Sequence, residues 1–139
     1  MPTTSVYSIF DEIVQPQEGD GASAFILDKR NVGVTNVELQ NACPLQPAGT
    51  LYSHEGVLYN PVAFALAKDA LTHPGPGSLS RIDLASECQK ITADGLGLID
   101  IFATEGVIVI AAIEIIAAYA NGTYTEPPIM PYAQKDTPK

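Results

Sequence analysis

"IEIIAAYANGTYTE", residues 113–126, holds the choice on which the fold turns. Asn121-Gly122 either closes a long apolar helix or forms the tip of a β-hairpin. Between Val107 and Ile116, seven of ten residues are Val or Ile. Their stiff χ1 torsions suit a pleated sheet better than a helix. Beyond the Asn-Gly pair, Thr123-Tyr124-Thr125 continues in strand-like composition. A two-residue type I′ turn would set Tyr119 opposite Tyr124, an aromatic pair of the kind that stabilises hairpins. The helix alternative rests on the alanines of 111–120 and on Asn-Gly as a C-cap. The hairpin is the predicted structure. Its first strand is apolar on both faces, with Val107, Val109, Ile113 and Ile115 on one of them. A strand of that kind is buried on both sides, and a second subunit is expected to cover those four residues.

The rest of the chain is read as the companion of that hairpin. Its 139 residues favour one domain, and its 11 Gly and 11 Pro imply many turns. Residues 1–22 read as an N-terminal arm, with Val6, Tyr7, Ile9, Phe10 and Ile13 as apolar anchors ahead of a polar tether. Residues 23–133 form the body and 134–139 a flexible tail. Ser53 to Gly56, between two apolar triplets, predicts a second hairpin over residues 50–59. Pro61 followed by an Ala/Leu-rich run predicts a short helix, and Ser80 to Lys90, with Asp83 in a capping-box position, a second one. The expected fold class is mainly β (α+β), a small barrel- or sandwich-like module with one or two short helices in its middle.

The formal charge of −9 opposes nucleic-acid and anionic-lipid partners. No basic n-region opens the chain and no apolar run spans a bilayer, so synthesis in a cytoplasm without classical export is expected, with no membrane partner. Cys43 and Cys88 lack a CxxC frame or a neighbouring His and are expected as unpaired, partly buried thiols, with a disulfide the minority alternative. His54 and His73 sit in turn segments without a metal-ligand companion, and no serine lies in a GxSxG frame. No catalytic centre, metal or cofactor is therefore expected.

One family resemblance follows from these segments. Ala48-Gly49-Thr50-Leu51, Gly56-Val57-Leu58-Tyr59-Asn60-Pro61, Ala93 to Asp100 and Ile115 to Ile129 together resemble the head decoration (capsid cement) proteins of tailed bacteriophages, over residues 45–130. That resemblance implies a non-enzymatic virion protein on the capsid exterior. It would bridge major capsid proteins and self-associate as a homotrimer. The arm residues Val6, Tyr7, Ile9, Phe10 and Ile13, set apart from the body by the flexible stretch QPQEGDG, are expected to make the contact with the capsid. The alternative is a small ligand-binding or enzymatic β-barrel with a pocket near Tyr52, His54, Glu55 and Tyr59.

Overall fold

The computed structural model describes residues 1–118, 125 and 128–132. The chain divides into two units, Met1–Ile108 and Val109–Lys139. The first holds two strands and three short helices, and it contains the start of a long fourth helix. The described part of the second is mainly the remainder of that helix.

Strand β1 (Thr3–Tyr7) and strand β2 (Val34–Glu38) pair in parallel, with Thr3 opposite Val34 and Tyr7 opposite Glu38. Parallel neighbours need a long crossover, here residues 8–33. The crossover is tied to the strands by side chains: Ser5 Oγ donates to the Ala24 carbonyl (2.7 Å), the Gly19 amide to Glu38 Oε2 (2.7 Å), and Asn36 exchanges two hydrogen bonds with the Ile26 backbone. Residues read as an arm thus include a strand whose Val6 packs on the core and whose Tyr7 is buried.

Directly after β2 come helix α1 (Leu39–Ala42), then α2 (Pro61–Thr72) and α3 (Leu84–Cys88). The helix expected from Pro61 is present. Asn60 is its N-cap, its Oδ1 accepting from the amides of Val62 and Ala63 (2.9 and 3.1 Å), with Pro61 preset at the first helical position. Val62 and Leu66, spaced i and i+4, face the core with Val37, Leu39, Tyr52 and Tyr59. The second expected helix is shorter than Ser80–Lys90: a 3-10 turn occupies Leu79–Arg81, and Asp83 caps α3 by accepting from the Ser86 amide (3.2 Å).

The mainly-β fold class is overturned. Helix α4 runs Leu98–Ala118, through the residues read as a strand. Val107, Val109 and Ile113, the expected interface residues, lie on it and are exposed, and the side chain of Ile115 is outside the described set. The turn at Asn121-Gly122 and its pair Tyr119 and Tyr124 also fall outside the described residues. The physical reason lies upstream. Asp100 Oδ2 accepts from the Gly97 amide (2.8 Å), while the Gly97 carbonyl takes the amides of Asp100 and Ile101. This is the acidic half of a capping box, and it starts a helix before the β-branched run is reached. Extending an existing helix needs no new nucleus, and the propensity penalty of Val or Ile is at most ~0.7 kcal/mol per residue.

Two further expectations are corrected. Residues 50–59 contain a 3-10 turn over Gly56–Tyr59 in place of a hairpin, because Ser53 bonds to Glu105 and to the Gly56 amide. Cys43 and Cys88 are not free thiols: they form a disulfide with a Cα–Cα distance of 5.4 Å, joining the residue that ends α1 to α3 inside the core.

Candidate active site

The parallel pair directs two loops to one end of the sheet. Asp11 lies four residues beyond the end of β1, and His54 lies in the loop after β2 and α1. Open α/β sheets bind ligands beyond the carboxyl ends of their strands, which is where both loops emerge.

The two loops meet in a contact between an acid and an imidazole. His54 Nδ1 stands 2.9 Å from Asp11 Oδ2, and the other carboxylate oxygen, Oδ1, accepts from the amides of Ile13 (2.9 Å) and Val14 (2.8 Å). The Asp11 side chain is 7% exposed and that of His54 42%. An acid out of water therefore holds the inner nitrogen of an imidazole whose outer part reaches solvent. Burial alone would raise the Asp11 pKa, but the Val14 amide, His54 and the Ile13 amide outweigh it and hold the carboxyl below its ordinary 3.8. The Asp11 hydrogen bond lifts His54 above its ordinary 6.5, against a smaller lowering by burial, with the charges of Asp11, Glu55 and Glu12 adding to the rise.

Backbone and amide contacts fix the pair. The Asp11 amide donates to the Ser8 carbonyl (3.1 Å), and the His54 amide to Glu12 Oε2 (3.2 Å). Gln40, on α1, stitches the loops together. Its Oε1 accepts from the Ile9 amide (3.0 Å), and its Nε2 donates to Ser8 Oγ (3.0 Å) and the Thr50 carbonyl (2.9 Å). A cleft of about 530 Å³ opens beside the pair, walled by Val6, Val14, Val57 and Leu58.

A second Asp–His contact provides a comparison. His73 Nδ1 is 3.0 Å from Asp69. Asp69, however, already takes Arg81 through Nε (2.9 and 3.0 Å) and Nη2 (2.7 Å), and the Ser78 amide (2.8 Å). The guanidinium neutralises that carboxylate in bidentate geometry, which leaves it little field with which to orient an imidazole. Arg81, above all, holds the Asp69 carboxyl below its usual range. That cluster staples the end of α2 to the 76–81 turn. Of the two carboxylates, Asp11, bound by backbone amides and one imidazole, is the one without a guanidinium and is free to hold its histidine in one tautomer.

The predicted site residues are distributed accordingly. His54 and Glu55, from the enzymatic alternative, line the cleft, and Glu55 Oε2 is buried without a hydrogen-bond partner among the described residues. Tyr52 and Tyr59 belong to the core, their rings 5.6 Å apart, with Tyr52 donating to the Ile91 carbonyl (2.7 Å) and Tyr59 to Glu105 Oε1 (2.8 Å). Burial pushes the Tyr52 hydroxyl up to about 12. Of the arm residues, Val6 and Tyr7 also line the cleft, Ile9 is half-buried, and Phe10 and Ile13 are exposed beside Asp11. Sequence reasoning missed Asp11, Gln40 and Glu105. Asp11 alone left a faint signal, an acid shortly after a β-branched stretch with a histidine further along. Among the described residues no group of His, Cys, Asp or Glu is arranged to hold a metal, and no helix is long and apolar enough to cross a membrane.

Comparison with known proteins overturns the phage resemblance. No family model matches the chain. The chain is similar to lipase B of Pseudozyma antarctica, 28% identical over 138 residues, covering 96% of this chain and 37% of that protein. The crystal structure of Aspergillus fumigatus lipase B superposes with a TM-score of 0.85 at 53% identity, over 96% of this chain and 31% of that one. The chain thus spans about a third of the length of each of these two proteins. The non-enzymatic reading, the capsid and trimer partners and the virion location are all corrected by these similarities, and the enzymatic alternative fits better, without its barrel. The chain shares its fold and more than half of its residues with part of a lipase.

Proposed function

We propose that this chain carries the acid and the general base of a serine-type esterase acting on lipid esters, with Asp11 orienting His54. The observation that carries the reading is the 2.9 Å contact between Asp11 Oδ2 and His54 Nδ1, with Oδ1 held by two amides. In such a pair the acid fixes the tautomer that leaves Nε2 free to take a proton, and it stabilises the imidazolium that forms. Acid before histidine along the chain is the order of α/β-hydrolases, in which the serine comes first. Among the described residues no hydroxyl bonds to His54. The serine whose proton Nε2 takes is therefore assigned to residues beyond those described, for which the matched lipases, about three times as long, have room.

The mechanism follows from that geometry. Nε2 takes the serine proton as the oxygen attacks the ester carbonyl; His54, now charged, is held by Asp11 and returns the proton to the departing alkoxide. Water repeats the cycle on the acyl-enzyme. Apolar walls beside the pair suit an acyl chain more than a charged substrate. The disulfide favours an oxidising compartment, so secretion is the location that agrees with it.

The test is hydrolysis of p-nitrophenyl esters of increasing chain length by the protein at its natural full length. His54→Ala is expected to abolish turnover, and Asp11→Asn to lower kcat by roughly 10⁴ through the wrong tautomer. Undiminished turnover by His54→Ala would end the proposal.

A further inference from the structure

We infer that Glu105, on α4, is a positioning residue for His54. The inference rests on the catalytic reading of the Asp11–His54 pair and adds a residue to it. The Glu105 carboxylate receives both ends of the segment that carries the base. Ser53 Oγ, from the residue preceding His54, lies 2.8 and 3.0 Å from its two oxygens, and Tyr59 OH lies 2.8 Å from Oε1. Ser53 Oγ also accepts from the Gly56 amide at 2.9 Å, which closes the turn around the histidine. Gly56 backs onto the same carboxylate. A Cβ there would lie 3.0 Å from Ser53 Oγ, 3.3 Å from Glu105 Oε1 and 3.3 Å from Tyr59 OH, so the cradle would have to give by a few tenths of an ångström to admit one.

The consequence is mechanical. Consecutive Cα atoms are about 3.8 Å apart, so a shift of Ser53 passes to His54 with little loss. On its other side His54 is restrained by Asp11 and by the contact of its own amide with Glu12. Glu105 is thus the anchor supplied by α4, and it ties that helix to the base. A carboxylate suits the role because it accepts from both hydroxyls at once, and charge-assisted hydrogen bonds are about twice as strong as neutral ones. Its action is on the loop; the charges that raise the His54 pKa are those of Asp11, Glu55 and Glu12.

The experiment compares Glu105→Leu and Glu105→Gln in the full-length protein. It reads kcat and KM on a soluble short-chain p-nitrophenyl ester and the His54 titration by NMR. Glu105→Leu removes the acceptor and is expected to lower kcat by roughly tenfold or more at nearly constant KM, since 1 Å of misplacement can cost about 10²-fold. His54 should then titrate closer to its ordinary value, because the Asp11 contact loosens. Glu105→Gln keeps one acceptor oxygen and should recover most of kcat. Wild-type kcat and an unmoved His54 titration in Glu105→Leu would overturn the inference, as would equal losses in both variants with that titration unmoved. If Glu105→Leu fails to fold, the pair Ser53→Ala with Tyr59→Phe removes the donors instead, under the same criteria. Failure of the catalytic reading is separate: His54→Ala would stay active, while the titration would still report whether Glu105 holds the histidine in place.

Discussion

Replacing Cys43 and Cys88 together by Ala should destabilise the protein more than any single surface change. The disulfide joins residues 45 apart in sequence. For a loop of that length, chain entropy assigns about 4 kcal/mol at 25 °C to the cross-link through its constraint on the unfolded chain. Net stabilities are about 5–15 kcal/mol, so the loss takes a large share of the total. Both cysteines sit in the core with Leu39, Ala48 and Val62, and the two missing sulfurs leave a small cavity that acts in the same direction. The assay is urea unfolding of parent and double variant. With a denaturant slope of about 2 kcal/mol/M, the midpoint should fall by about 2 M. A non-reducing peptide map should carry the Cys43 and Cys88 peptides as one species, and reductant should bring the parent curve toward that of the variant. Superimposable curves, or the two peptides running separately without reductant, would refute the reasoning.

The remaining predictions concern the cap and the pair. Asn60→Ala removes the N-cap of α2 and leaves the Ala48 carbonyl without the donor that Asn60 Nδ2 supplies at 2.8 Å. Together these should cost about 2–3 kcal/mol, read as a lowered urea midpoint. Activity should rise with pH as His54 loses its proton, with a midpoint above 6.5 because Asp11 raises that value; a midpoint below 6.5 would contradict the pairing. The same pair sets a stability window. The raised His54 value contributes fully below 6.5 and is lost as pH rises through it, whereas the lowered Asp11 value contributes above 3.8 and is lost as pH falls through it. Asp11→Asn should therefore destabilise most between those limits, seen in melting curves across pH.

Legibility in the sequence followed the range of the interactions. Helix α2 was readable because Pro61 and the Ala/Leu run are local signals. Ser80 reads as the cap with Asp83 three residues inside the helix, but Ser80 lies in a 3-10 turn and Asp83 is itself the cap of a helix of one short turn, so the expectation overshot it. The β-branched run of α4 pointed the wrong way because the cap that starts the helix, Gly97 with Asp100, lies ten residues before Val107. Asp11 left only a faint signal for another reason. Its role exists only because the β1–β2 pairing brings it to a histidine 43 residues away, and sequence spacing records no such contact. Glu105, 52 residues from Ser53, was hidden in the same way. The cysteines carried no pairing signal, since only the packing of α3 against α2 and the Pro47–Gly49 turn sets them at bonding distance. His54 itself was considered in the enzymatic alternative, but as a pocket residue without its acid.

The central claim is that His54, held by Asp11, activates a serine. Its most direct measurement is labelling of the full-length protein by a fluorophosphonate, with the modified residue located by peptide mapping. The expected result is one labelled serine, labelling that rises with pH through a midpoint above 6.5, and near-complete loss of labelling in His54→Ala with the fold retained. Labelling of His54→Ala at the parent rate, or none in the active parent protein, would contradict it.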